Sequence, residues 1–310
     1  MDHFYFPITI VLFVTALVRI PTAIRQPHAR PSWFATLMAV PALLSRGAVI
    51  PIQTLDAWLG GTNLIFLVQC WFATFAFWGM CEAAGADTTS TERVKIRFWI
   101  PIVWCMVYSI PFFMIPDRQG TELFFIDGHV DDPAAIVCGV LYMLGIVAIC
   151  VRLIWVLRGG TSVGRWLFRV GAGLVIAGGL LWSTAIVIDH VYELHRAPLV
   201  WMYEGFDVLF YPGVVILALG LLAFSVQRQM RTLVLRRRIR QLEEILETRS
   251  VVLAASNDAL PFVMYDLVVQ IEDLRTLGIV VPTVDEQVTI VRATAWVERA
   301  FPQFRDMSIA

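Results

Sequence analysis

Seven apolar runs of about 20 residues constrain this chain more than any other feature of its sequence. A run of that length crosses a ~30 Å hydrocarbon core as an α-helix, which satisfies its own backbone hydrogen bonds. The chain is 58% hydrophobic and 16% charged, with a mean hydropathy of +0.71, and this excludes an ordinary soluble domain. The sequence therefore predicts an all-α, polytopic membrane protein whose residues 1–227 form seven transmembrane helices, at 4–20, 34–55, 63–83, 98–116, 134–157, 169–190 and 207–227.

Basic residues are distributed unevenly between the two sets of connecting segments. One set, together with the start of the tail, carries 16 of them, whereas the opposite set carries only Arg118 and Arg196. Because basic residues favour the cytoplasmic side, the N-terminus is predicted on the outer side of the plasma membrane and the C-terminus on its cytoplasmic side. The first run has no basic segment before it and no A-x-A cleavage site, which predicts a retained helix rather than a signal peptide.

Residues 228–249 have the pattern of a basic amphipathic helix that continues the seventh run. Apolar residues recur in it at 4-3-4 spacing, namely Leu235, Ile239, Leu242 and Leu246. Its arginines are predicted to contact anionic lipid headgroups of the bilayer or a protein partner: Arg228, Arg231, Arg236, Arg237, Arg238 and Arg240. No nucleic acid is expected as a partner.

Residues 250–310 are predicted to form a small helical cytoplasmic tail. One helix is expected up to Gly278, and another after Thr283, where Glu286 completes a capping box. A segment of this size buries little apolar surface by itself. We therefore expect it to pack on itself, on the membrane-proximal loops, or on a partner chain, which is either a cytoplasmic protein or a second copy in a homo-oligomer.

Ionisable residues in or beside the apolar runs are the candidates for a functional site, because a charge in hydrocarbon is costly and usually has a partner. Arg46 lies about 10 Å below the outer end of the second run, and Asp189 lies at comparable depth in the sixth. Three interpretations stay open: an ion pair that locks helices, snorkelling of Arg46 to the interface, and a ligand or ion site. Further candidates at the outer ends of the sixth and seventh runs are His190, Glu193, Glu204 and Asp207.

Two other features of the runs concern packing. In the sixth run, Gly173 and Ala177 lie four residues apart, with Gly178 beside them, which predicts a face for close helix approach. A glycine-lined ligand cavity is the alternative. On the predicted inner side, Glu82 and Arg152 are placed to pair.

The chain shows no motif for catalysis, and no enzyme, cofactor or metal site is predicted. It lacks the HExxH, GxSxG and phosphate-loop patterns. Its one lysine, Lys95, lies in a predicted cytoplasmic loop, which excludes a retinal Schiff base within the seventh run. The five cysteines lie in or beside the runs without a CxxC pair, as expected of small buried apolar residues.

Three stretches occur in a recognisable order. The first is SRGAVIPIQTLDAWLGGTNLIFLVQ, which contains Arg46, Asp56, Gly61 and Asn63. The second is the layout of seven runs with a basic exit, and the third is LVVQIEDLRTL before a helix rich in alanine and valine. Together they resemble a group of actinobacterial integral membrane proteins described as transporters, with a tail domain of unknown function. The resemblance implies transport and carries no substrate or catalytic residue.

Two functions from different classes follow from these patterns. The first is transport of a small solute or ion through a polar site near Arg46 and Asp189, in the outer half of the bundle. The alternative is a membrane sensor or regulatory scaffold that signals through residues 228–310 to a cytoplasmic partner.

Overall fold

The computed structural model is all-helical, and no strand occurs among the residues it describes, which are 9–10, 12–17, 20–25, 29–45, 47, 50–85, 99–122, 124–159, 162–192, 197–248 and 260–300. The predicted all-α class is therefore confirmed. Residues 9–10 and 12–17 are helical, and the α-helices whose bounds the structure describes are, in chain order, α1 Ile20–Arg25, α2 Arg30–Leu44, α3 Ile52–Trp58, α4 Leu64–Gly85, α5 Trp99–Met114, α6 Phe125–Gly128, α7 Pro133–Val156, α8 Val163–Tyr192, α9 Val200–Glu247, α10 Leu260–Thr276 and α11 Val284–Ala300.

Four helices are long and apolar enough to cross a membrane: α4, α7, α8 and the Val200–Ala223 part of α9. Each coincides with one of the predicted runs. Helix α5 coincides with another, but it has only 16 residues. The four helices indicate a membrane-embedded protein, whereas seven spans and the outside location of the N-terminus stay predictions.

The predicted span 34–55 is not one helix. Helix α2 ends at Leu44, and α3 begins at Ile52, directly after Pro51. Pro51 is the N-cap residue of α3, a position at which proline interrupts no hydrogen bond of the helix. Gly47, between the two helices, has a left-handed φ of +82°. The prediction of one continuous helix over this run is therefore wrong, whereas its crossing of the membrane stays a prediction.

The first of two compact units ends at Phe224, and its core is centred on α7. Helix α7 packs against α4, α5 and α8. The largest fully buried side chains include Tyr108, Phe112, Phe125 and Phe168. Apolar side chains also cover outward faces, as at Val208, which is 70% exposed. Such an exposed apolar surface suits contact with lipid rather than water.

Charged side chains at one end of this bundle have polar partners, either an opposite charge or a backbone carbonyl. Arg152 Nη2 in α7 lies 3.7 Å from Glu82 Oε1 in α4, which confirms the pairing suggested by the sequence. Arg169 in α8 donates to the carbonyl oxygen of Leu157, and Arg165 donates to that of Gly159. Carbonyls at a helix C-terminus have no partner within the helix and carry partial negative charge. The two arginines therefore stabilise the turn between α7 and α8.

Helices α8 and α9 approach closely through glycines. A Cβ built on Gly171 would lie 2.8 Å from the carbonyl oxygen of Gly213, and one on Gly178 would lie 2.9 Å from the backbone nitrogen of Phe210. Side chains larger than hydrogen are therefore excluded at these two positions of α8. The contact spans two turns of helix and fixes the separation of α8 and α9.

Gly173 and Ala177, which were predicted to form the packing face, do not lie on the face of α8 that contacts α9. A Cβ on Gly173 would meet nothing within 4 Å, and Ala177 is exposed. Of the three predicted packing residues, Gly178 alone makes a close approach within the chain. The reason is that Gly171 and Gly178 are seven residues apart and share a face, whereas Gly173 lies on a different one.

The second compact unit, residues 225–310, has its own core. The C-terminal part of α9 contributes Ile239, Leu242 and Leu246, all buried, which belong to the stripe predicted from spacing. Helices α10 and α11 supply the rest, including Met264, Ile271, Ile290 and Ala293. The predicted capping box is confirmed, since Thr283 N donates to Glu286 Oε2 at 2.7 Å and Glu286 N to Thr283 Oγ1 at 3.4 Å. The tail thus packs on itself.

The contact between α8 and α9 predicts opposite effects of the same substitution at two glycines of α8. Gly178→Ala places a methyl group against the backbone of Phe210 and should destabilise the bundle by about 1–3 kcal/mol. Gly173→Ala meets open space and removes a flexible residue from a helix, so it should stabilise by about 0.5–1 kcal/mol. Thermal unfolding of the full-length protein in detergent measures both. Equal shifts of the two midpoints would contradict the assigned contact.

Candidate functional site

The sequence-predicted polar residues have different surroundings. Asp189 is 1% exposed, and Tyr203 Oη donates to its Oδ2 at 3.1 Å. His190 Nδ1 lies 2.7 Å from the carbonyl oxygen of Val130, and Glu204 is exposed. Arg46 and Glu193 lie outside the described residues, so the proposed Arg46–Asp189 pair stays a prediction. Among the described candidates, Asp207 lines a cavity.

That cavity lies within the first compact unit and has a volume of about 320 Å³. All four candidate membrane-spanning helices contribute to its wall, and the segment that includes α6 supplies the remainder. Its lining residues are Phe66, Gln69, Cys70, Phe124, Phe125, Ile126, Asp127, Tyr142, Met143, Trp182, Tyr203, Phe206, Asp207, Phe210 and Tyr211. We refer to it as the aromatic cavity.

Helix α9 supplies the longest part of this wall. Its lining residues are Tyr203, Phe206, Asp207, Phe210 and Tyr211, spaced three or four apart, so they lie on one helical face. This spacing is visible in the sequence, although Asp207 was predicted to be a site residue only because of its charge at the end of an apolar run. A stripe of aromatic residues that includes one carboxylate is the signal that could have located the site.

The aromatic rings of the cavity are in mutual contact. The ring centroid of Phe206 lies 6.0 Å from that of Trp182, 4.9 Å from that of Phe210 and 5.9 Å from that of Tyr211. These separations fall within the range of favourable offset and edge contacts. Since Trp182 belongs to α8 and the others to α9, the contact depends on the close approach of these helices at Gly171 and Gly178.

Hydrogen bonds hold two of the rings in place. Trp182 Nε1 donates to Asp127 Oδ1 at 3.1 Å, which joins α8 to the short helix α6. Tyr203 Oη donates to the buried carboxylate of Asp189, which joins α9 to the end of α8. A buried hydroxyl or indole without an acceptor would be costly, so these bonds determine how the rings are oriented. Asp189 thus acts on the cavity through Tyr203.

A second buried polar cluster lies around Asp56, outside the aromatic cavity. The Asp56 carboxylate is 0% exposed and accepts bonds from Asn63 N at 2.9 Å, Ile65 N at 3.1 Å and Thr121 Oγ1 at 2.9 Å. Its bond from Ile65 satisfies a free backbone N–H in the first turn of α4. The Asp56 cluster therefore fixes the start of the helix that carries Phe66, Gln69 and Cys70 to the cavity.

Asn63 extends this cluster to the loop after α5. Its Nδ2 donates to the carbonyl oxygens of Arg118 at 3.0 Å and Gly120 at 2.7 Å, and its Oδ1 accepts from Glu122 N at 3.0 Å. Asn63 has a φ of +56°, a conformation that asparagine tolerates better than most residues. The sequence pattern singled out Asp56 and Asn63 only through a resemblance, and their structural role was missed because their partners in the loop after α5 lie 55 or more residues away.

Neither metal ligation nor a known relative defines the site. Among the described residues, no group of three or more His, Cys, Asp or Glu side chains is close enough to hold a metal ion, and the five cysteines are buried thiols. Comparisons with family models, curated proteins and solved structures found no match. The chemistry of the cavity must therefore be inferred from its own residues.

The Asp56 cluster predicts a strong effect of removing one carboxylate. Asp56→Ala leaves two backbone N–H groups and one hydroxyl without an acceptor, which should destabilise the protein by about 3 kcal/mol or more. Asp131→Ala, at an exposed aspartate, is the matched control and should have little effect. Unfolding midpoints in detergent compare the two variants, and an unchanged midpoint for Asp56→Ala would exclude the structural role.

Proposed function

We propose that the protein binds a small solute in the aromatic cavity and transports it across the membrane. One observation carries this proposal: all four candidate membrane-spanning helices line the same cavity. Ligand sites of helical membrane proteins are commonly built between helices in this way. A volume of about 320 Å³ suits a small organic solute, since ligand pockets start at about 300 Å³.

The depth of the cavity also supports the proposal. Tyr142 lies nine residues after Pro133, where α7 begins, which corresponds to about 14 Å along the helix. Trp182 lies ten residues before Tyr192, where α8 ends, or about 15 Å. Each distance is about half of a ~30 Å hydrocarbon core. Phe66, two residues after the start of α4, and Asp127 of α6 line the same cavity, so it extends from one end of the bundle toward the depth at which alternating-access transporters hold their substrates.

Transport predicts that filling the cavity stops solute movement. Gln69→Phe adds a ring to the wall of the cavity, whereas Val103→Phe adds the same ring to an exposed face of α5. Full-length protein is reconstituted in liposomes, and uptake of labelled amines, sugars, amino acids and carboxylates is measured. We expect wild type and Val103→Phe to accumulate at least one solute, and Gln69→Phe to match empty liposomes. Uptake equal to that of empty liposomes for every solute would contradict transport.

A separate observation favours sensing as a second candidate function. Helix α9 is continuous from Val200 to Glu247. It lines the cavity with residues such as Phe206 and Asp207, and it also supplies Ile239 and Leu242 to the core of the tail unit. In this proposal, occupancy of the cavity alters α9 and thereby the stability of the tail helices α10 and α11.

Sensing predicts that a change in the cavity reaches the tail. Asp207→Asn alters a lining residue, and Glu204→Gln removes an exposed charge one turn earlier on the same helix. Amide hydrogen exchange of residues 260–300 in the full-length protein should change in the first variant and not in the second. Identical exchange of residues 260–300 in both variants and wild type would exclude this relay and leave transport unaffected.

A further inference from the structure

The aromatic cavity has a composition that selects among ligand charges. Nine of its fifteen lining residues carry aromatic rings: Phe66, Phe124, Phe125, Tyr142, Trp182, Tyr203, Phe206, Phe210 and Tyr211. The face of an aromatic ring carries negative electrostatic potential and attracts cations, most strongly for tryptophan and where water is excluded. An aromatic wall of this extent therefore favours a positively charged group over a negative one of the same size.

The charged lining residues act in the same direction. Asp127 and Asp207 both line the cavity, and no arginine, lysine or histidine occurs among the lining residues that the structure describes. Two half-buried carboxylates repel an anionic ligand and attract a cationic one. Among the described lining residues an anion would meet two like charges and no basic side chain, which disfavours carboxylates and phosphates.

The available ligand atoms favour an organic cation over a metal ion. A bare divalent cation requires six or more oxygen ligands for calcium, or a near-octahedral shell for magnesium. The described residues contain no group of three potential metal-binding side chains. An ammonium group with alkyl substituents has no such requirement, because its charge is spread over a surface that rings can contact from several sides.

Hydrogen bonds keep the walls in position for such a ligand. Trp182 is tied to Asp127, so the tryptophan ring and a carboxylate lie next to each other in the wall. Phe206 contacts both Trp182 and Phe210, with centroids 6.0 and 4.9 Å apart. Rings that are already fixed lose little entropy when a ligand binds, which favours affinity.

We infer that the aromatic cavity binds a small organic cation, of the alkylammonium or quaternary ammonium class. This inference rests on the proposed function, since it names the class of solute that the same cavity would carry. Asp127 and Asp207 supply the negative charge, and Trp182, Phe206 and Phe210 supply ring surface. No covalent chemistry is involved.

Equilibrium dialysis of the full-length protein in detergent tests the inference with three probes of similar shape. Choline is the cation, and neohexyl alcohol (3,3-dimethylbutan-1-ol) is its uncharged isostere with carbon in place of nitrogen. The carboxylate 3,3-dimethylbutanoate is the anion. We expect saturable binding of choline and binding of the other two that is weaker by about tenfold or more. Equal affinity for either of the other probes, or no saturable binding of choline, would overturn the inference.

Variants locate the binding to the cavity. Asp207→Asn and Phe206→Leu should each raise the Kd for choline by about tenfold, because one removes a charge and the other a ring. Glu204→Gln and Trp201→Leu are the matched controls on exposed positions of the same helix, and they should leave the Kd unchanged. Circular dichroism verifies that each variant is folded. An unchanged Kd in both folded cavity variants would refute the assignment.

The outcomes separate this inference from the proposal of transport. Binding of choline without its accumulation in liposomes would support the cation site and contradict transport. Saturable binding of neohexyl alcohol with affinity equal to that of choline, abolished by Gln69→Phe, would retain the cavity as a solute site and overturn the preference for cations.

Discussion

The close approach of α8 and α9 is the contact on which the aromatic cavity depends. At Gly171 and Gly178, any side chain would collide with the backbone of Gly213 or Phe210. Because these glycines bring the two helices together, Trp182 and Phe206 meet at 6.0 Å and form one continuous wall. Small residues serve this purpose in apolar surroundings, where helices associate through packing rather than through exclusion of water.

Buried polar side chains then determine the register of the remaining walls. Asp56 fixes the first turn of α4, Asp189 orients Tyr203, and Asp127 orients Trp182. Asp56 and Asp189 are buried and Asp127 is half-buried, and away from water an unmade hydrogen bond costs more than the bond itself contributes in water. The three carboxylates therefore specify one arrangement of helices, and the cavity is a consequence of that arrangement.

Local sequence signals predicted the elements well where one physical rule dominated. Hydropathy located the runs that became α4, α7 and α8, and the Thr283–Glu286 box was confirmed because a capping box needs only four consecutive residues. The run 34–55 was misjudged as one helix because its hydropathy is continuous although α2 ends at Leu44 and Gly47 has a left-handed φ. Gly173 and Ala177 were misjudged because spacing identifies a face without identifying the neighbour that covers it.

The sequence by itself determined the class of this protein, since apolar length and helical periodicity are local properties that every stretch of chain carries. It also marked Asp189 and Asp207 as costly charges beside apolar runs. Only the tertiary structure decided that Asp189 binds Tyr203, that Asp207 lines a cavity, and that Asp127 belongs to the same site. The physical reason is that a cavity is formed by the separations of several helices, and those separations depend on contacts between residues far apart in the chain.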